Sequence, residues 1–281
     1  MADEVRPDAI VVDGFMLAAY DAADRLALPT AALCHCSYAL FAGPWGERVM
    51  GVPVAGLFDR VHRVLVPTHP AYEGIEAVPP NVDFVGAITR PGVAATEDEL
   101  VAADVAELLD RRTPWLLLSM STTNQGQSAV LPGLLDALSR LPVHVLLTLG
   151  GAVDPGSVEA PANVLVRGYV AHELVLPHVD AFVTHAGMSG IATALSFGRP
   201  LVCLPQGRDQ GFNAARVDEL GAGISLAAGA APEAVAAAAA RVLADPSYAA
   251  VARRFADPAG RRDPVEAALA LLEPARRTAG R

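Results

Sequence analysis

Residues 185–217 read "HAGMSGIATALSFGRPLVCLPQGRDQGFNAARV". The apolar run "DAFVT" (180–184) ends where this stretch begins, and a second run, "PLVCLP" (200–205), lies inside it. Each run stops at a small, polar, Gly-rich corner, and each corner opens into a helix-like pattern. Strand, tight corner and helix, repeated, is the unit of a parallel sheet covered by helices on both faces. In such sheets ligands gather at the carboxyl ends of the strands. The two corners are therefore also where chemistry is expected.

The same alternation continues in both directions. Downstream of 113, strands are expected at 115–120, 143–149, 163–168, 180–184, 200–205 and 222–227. Helices are expected at 128–140, near 172–176, at 190–197 and at 209–220, with further helices to about 272. Upstream, "DAIVVD" (8–13), "TAALCH" (30–35), "RVLVP" (63–67) and "VDFVG" (82–86) read as strands, and 16–28 as an amphipathic helix. Residues 36–62, rich in Gly and Pro, read as irregular. The expected organisation is a partial Rossmann-like region over 1–90, a linker and helix over 91–112, and a complete doubly wound domain over 113–281.

The bulk composition narrows the function classes. The chain has 281 residues, is 52% hydrophobic and carries a formal charge of −10. Hydrophobicity at that level indicates a folded chain. A nucleic-acid binder needs a basic footprint that this chain lacks. All 21 basic residues are Arg. The three cysteines, Cys34, Cys36 and Cys203, are an odd and sparse set that suits a reducing compartment. Cys34-His35-Cys36 has no second ligand pair at zinc spacing, so no metal site is expected. No run of about 18 apolar residues occurs, so no membrane span is expected. The acidic start, "MADEVRPD", has no apolar core of a signal peptide, and a cytoplasmic location is expected.

At the first corner, Gly187 and Gly190 let the backbone approach a ligand. Free N–H groups at the start of the following helix suit a phosphate, and His185 adds a donor. A plain strand–helix turn with Ser189 as N-cap fits the same residues equally well. At the second corner, Asp209, Gln210 and Asn213 share one helix mouth and offer donors and acceptors for hydroxyl groups; Asp209 as a simple cap is the alternative. "SMSTTNQGQ" (119–127) presents a third set of hydroxyls at a strand end. Neither the dinucleotide fingerprint nor a P-loop is present.

Taken together, "STTNQGQ", "NVLVRGYVAHELVLPHVD" and the quoted stretch resemble the carboxyl-terminal domain of the UDP-glycosyltransferase superfamily. The resemblance is to the bacterial macrolide and natural-product type. It implies a GT-B-like fold, with the first part of the amino-terminal domain lacking. It implies an inverting transferase that moves a hexose from a UDP- or TDP-sugar to a hydroxyl of a small-molecule acceptor, with no cofactor and no metal. By position, Ser121, Thr122 and His185 would hold the diphosphate, helped by Gly187, Met188, Ser189 and Gly190. Val170 and His172 would lie at the base, Asp209 and Gln210 at the sugar, and Asn213 at the phosphate end. The family usually has Gly then Ser or Thr where Ser189-Gly190 stand, often Glu at Thr193 and Pro at Ala171, which puts the phosphate contacts in doubt.

The amino end departs further. In the family a His near the start is the general base. The resemblance makes Asp13 the partner of that His, which is absent here; Asp13 capping the helix at 16–28 is the other reading. His35 ends the next strand, could border the same cleft and is a candidate to serve in place of that base, although a core or surface histidine is the commoner reading of such a residue. Two other functions remain open. One is a donor-binding or helper subunit that dimerises or pairs with another chain through the incomplete sheet. The other is a nucleotide-sugar epimerase.

Overall fold

The computed structural model describes residues 7–89, 113–120, 127–150, 153–258 and 263–271. The chain forms two compact units, residues 1–88 with 258–281, and residues 89–257. The expected linker and helix over 91–112 lies outside the described residues, as do Ser121 and Thr122.

The first unit holds a four-stranded parallel sheet in the order β1 (Ile10–Asp13), β2 (Thr30–Leu33), β3 (Arg63–Val66), β4 (Val82–Phe84). β1 pairs with β2 so that Asp13 lies opposite Leu33. Between β2 and β3 the expected irregular stretch is instead three short helices, Tyr38–Phe41, Pro44–Met50 and Val54–Phe58. Their apolar residues Phe41, Val54, Leu57 and Phe58 pack with Val12, Tyr20 and Val64 in one core. The Gly and Pro that suggested irregular chain are helix ends: Pro44 opens a helix and Gly51 closes it in the left-handed conformation. The carboxyl-terminal helices also divide differently from the expected 113–281 domain. The last, Pro264–Leu269, is capped by Asp263. It brings Ala267, with Leu271, against Ala31, Leu65 and Val85 of the first unit, because these apolar residues bury one another.

The second unit holds a six-stranded parallel sheet. Its strands are β5 (Trp115–Ser119), β6 (His144–Thr148), β7 (Val164–Arg167), β8 (Ala181–Thr184), β9 (Leu201–Cys203) and β10 (Gly223–Ser225), in the order β10-β9-β8-β5-β6-β7. Leu116, Leu118, Val145, Leu147, Val183 and Val202 line one core with Leu134, Leu138, Val235 and Val242 from helices Gln127–Ser139 and Pro232–Ala244. Those two helices approach closely at Gly133, where a Cβ would stand 3.2 Å from Pro232. From β5 the chain builds outward through β6 and β7. From β8 it builds the other way through β9 and β10. The switch point therefore lies between β5 and β8, whose carboxyl ends align Ser119 with Thr184.

No described helix is long and apolar enough to cross a membrane. The cysteines are free and buried; burial in β9 pushes the Cys203 thiol up to about 12, so it is an inert core residue.

Candidate functional site

The first quoted corner falls at the switch point. Thr184, the last residue of β8, accepts the N–H of Ala186 on its Oγ1 at 3.3 Å. Ala186 then turns left-handed, with φ 66°, a conformation costly for a residue with a Cβ. Asn213 holds it there: its Nδ2 donates to the Ala186 carbonyl at 3.1 Å. The helix starts at Met188 with Gly187 as N-cap and no side-chain cap. Ser189 is thus an exposed second residue of the helix and not its N-cap, because the chain enters the helix at Gly187, ahead of the hydroxyl. The first intrahelical bond runs from Ile191 N to the Gly187 carbonyl. The N–H groups of Met188, Ser189 and Gly190 precede it and open the positive end of the helix.

Gly187 is needed here for room, since its φ is an ordinary −65°. A Cβ on it would stand 2.7 Å from Nε2 of His185. The imidazole therefore lies over the helix entrance. Its Nδ1 is buried and has no hydrogen-bond partner among the described residues. Burial holds the His185 pKa below the ordinary value; the Ser119 carbonyl and Asp209 act the other way, more weakly. His172 opens helix His172–Val175, with Nε2 3.2 Å from Oγ1 of Thr148 at the end of β6. Its ring meets Phe182 edge-on at 5.2 Å. Burial pushes its pKa down to about 4; Glu173 acts the other way, and His185 lowers it a little further. Both imidazoles are neutral at pH 7. Val170 is buried, and its backbone N–H and C=O make no hydrogen bond among the described residues.

The second corner is tied to the first. Arg208 is also left-handed, with φ 57°. Asp209 caps nothing with its side chain; its Oδ2 accepts from Asn213 Nδ2 at 2.9 Å. The fully buried Asn213 thereby bridges Ala186 and Asp209. Gln210 folds its Oε1 back onto the N–H groups of Gln206 and Gly207 at 2.7 and 3.2 Å. It braces the loop before its helix, leaving its amide nitrogen as the group available to a ligand.

The structure places the expected residues His172, His185, Gly187 to Gly190, Asp209, Gln210 and Asn213 in one unit. Sequence reading missed Thr148, Phe182 and Thr184, which seat the two histidines and the strained Ala186. Thr148 and Thr184 are the last residues of β6 and β8, and a hydroxyl at the strand end is the signal that could have found them. Asp13 and His35 belong to the first unit, where they pair with each other: His35 Nδ1 lies 3.1 Å from Asp13 Oδ2. No cluster of three or more His, Cys, Asp or Glu able to hold a metal occurs among the described residues.

Residues 132–273, just over half of the chain, match the erythromycin biosynthesis protein CIII-like family, C-terminal domain. The chain belongs to this family. It is 34% identical over 224 residues to 4'-demethylrebeccamycin synthase of Lentzea aerocolonigenes, covering 78% of this chain and 52% of that protein. It therefore spans about half the length of that curated relative. Among solved structures it resembles the calicheamicin glycosyltransferase CalG4, with a TM-score of 0.73 at 25% identity, covering 97% of this chain and 76% of the other. It also resembles the spinosyn rhamnosyltransferase SpnG, with a TM-score of 0.75 at 22% identity, covering 96% and 73%. SpnG has been solved with thymidine diphosphate and with spinosyn aglycone. The fold of this family member is GT-B, that of the natural-product glycosyltransferases it resembles.

Proposed function

We propose that this family member transfers a hexose, with inversion, from a uridine or thymidine diphosphate sugar to a hydroxyl of a small natural-product acceptor. The observation that carries the reading is the corner at the β5/β8 switch point. Three helix N–H groups open there, under an imidazole for which Gly187 leaves the space. A nucleoside diphosphate suits this corner because its charge meets a positive helix end in a chain whose overall charge repels anions. The same groups stabilise the diphosphate as it leaves with the electrons of the broken glycosidic bond. Val170 offers its unpaired backbone groups to the base. Asp209 and the Gln210 amide offer an acceptor and donors to sugar hydroxyls. This leaving-group device needs no metal.

Calorimetry with UDP, TDP and ADP, each with and without magnesium, tests the donor assignment. UDP or TDP should bind, ADP should bind far more weakly, and magnesium should change nothing. Binding of none of them would remove the reading. A non-catalytic helper that works with another chain is the second reading. It is favoured by Val11, 53% exposed on the edge strand β1, a place where another strand adds. A helper would bind the nucleotide yet release none from a donor sugar when an acceptor is supplied.

A further inference from the structure

A cavity of about 330 Å³ lies between helix Gln127–Ser139 and the segment that follows β6. It falls wholly within the second unit, and none of the residues assigned to the donor lines it. Its floor is Leu131 and Leu135, which are buried in the main core of that unit. Their helix is held in place by the contact of Gly133 with Pro232. The facing wall is Val153 and Val158, partly buried and packed on the same core. The chain between these two valines is a bonded turn. Asp154 accepts the N–H of Gly156 on Oδ1 and the N–H of Ser157 on its carbonyl, both at 3.0 Å. The Val158 N–H bonds the Pro155 carbonyl at 3.3 Å. Both walls are therefore apolar, and their backbones are tied down before any ligand arrives.

The polar groups at this cavity are all of one kind. Ser157 Oγ gives its proton to the Asp154 carbonyl at 2.6 Å, so toward the cavity it can only accept. Glu159 is exposed, and among the described residues it has no ion pair and no hydrogen bond. Its carboxylate also only accepts. Pro132, inside the helix, has no N–H to give the Ser128 carbonyl one turn earlier. No Arg or His lines the cavity. A ligand that carries only acceptors, or a negative charge, finds no partner there. We propose that this cavity binds a small apolar organic cation. A body of one or two rings would lie against the leucines and valines, with an ammonium group at Ser157 and Glu159. The size fits, because a dry cavity of about 150 Å³ already holds benzene. Apolar walls with a few convergent polar groups are the usual make-up of a small-molecule site. The proposal does not depend on the glycosyl-transfer reading, which uses other residues of the unit.

Calorimetry on the full chain with 1-naphthylmethylammonium, 1-naphthalenemethanol and 1-naphthaleneacetate separates the body from the charge, because the three share one ring system. The ammonium should bind about tenfold or more tightly than the alcohol, and the acetate weakest of all. In E159Q the advantage of the ammonium over the alcohol should fall to about threefold or less, with the alcohol unchanged. V158W fills the cavity from its exposed side and should abolish binding of both, with the far-UV circular dichroism of the unaltered chain. E159Q, a change at an exposed and unpaired side chain, carries the test even where V158W does not fold. The proposal is overturned by equal affinity for the three compounds, by tightest binding of the acetate, or by no binding of the ammonium at millimolar concentration. An unchanged ammonium advantage in E159Q, or full binding by a folded V158W, would also overturn it.

Discussion

In the second unit a neutral amide, Asn213, ties the loop after β8 to the loop after β9 by bonding Ala186 and Asp209. In the first a buried carboxylate, Glu73, ties the loop after β2 to the loop after β3. It accepts from Ser37 and from the N–H of Ala39 on one oxygen, and from Thr68 on the other. Both bridges sit at the carboxyl ends of parallel strands, and both fix a histidine-bearing corner. They differ in what they leave exposed. Asn213 holds a strained backbone, so that the second unit presents N–H groups and suits an anion. Glu73 holds a short helix and the segment after β2, so that the first unit presents an imidazole and a carboxylate and suits a proton.

Breaking the charged bridge should cost most. Glu73→Ala leaves two hydroxyls and an N–H without their acceptor and should destabilise the first unit by roughly 3–4 kcal/mol. Glu73→Gln, which keeps part of the network, should cost about half as much. Urea unfolding followed by the fluorescence of Trp45, in the first unit, against that of Trp115, in the second, separates the units. Coincident, unshifted transitions would mean that the carboxylate is dispensable.

Asn213→Ala should cost about 2–3 kcal/mol in the second unit. It should also weaken TDP binding, because Ala186 loses the partner that holds it left-handed. Here the two effects must move together: a variant that loses stability but keeps TDP affinity would detach the bridge from the corner. Gly187→Ala separates them in the other direction. Its φ suits alanine, so stability should change by about 1 kcal/mol or less. The new Cβ displaces the His185 ring, however, and TDP affinity should fall about tenfold, or 1.4 kcal/mol. Calorimetry on this variant reads the second effect directly.

The comparison also shows what the sequence could reveal. The ten parallel strands were legible because each is a short, largely apolar run between corners, and the central ones, such as "WLLLSM", are buried on both faces. The donor corner was legible as a set of residue types. Its bonding was not. Gln210 was expected to face a ligand, yet its carbonyl braces Gln206 and Gly207, a choice that depends on a left-handed Arg208 that no residue preference announces. The helices between β2 and β3 were hidden because helices of four to seven residues carry too few turns to show a periodicity. The Asp13–His35 pair was hidden for a different reason. The partners are 22 positions apart, and only the register that sets Asp13 opposite Leu33 brings them together.

The smallest expected effect is on pH, and it distinguishes the two histidine corners. Free His172 titrates near 6.5, and in the fold burial brings it down to about 4. Between those values the unfolded chain binds a proton that the folded chain does not. Stability from this group is therefore complete above pH 6.5, falls as the pH drops through that window, and levels off below about 4. Thr148 and residual solvent soften the effect, so a Tm difference of a few degrees between pH 7 and pH 4 is expected. In His172→Gln, which retains a partner for Thr148 without the charge, that part of the pH dependence should vanish. TDP reverses the linkage. Its phosphates favour protonation of His185, whose pKa is also held down, so binding should take up protons and tighten as the pH falls below 7. Calorimetry in two buffers of different ionisation enthalpy reads that uptake, and its absence would place the diphosphate away from the His185 imidazole.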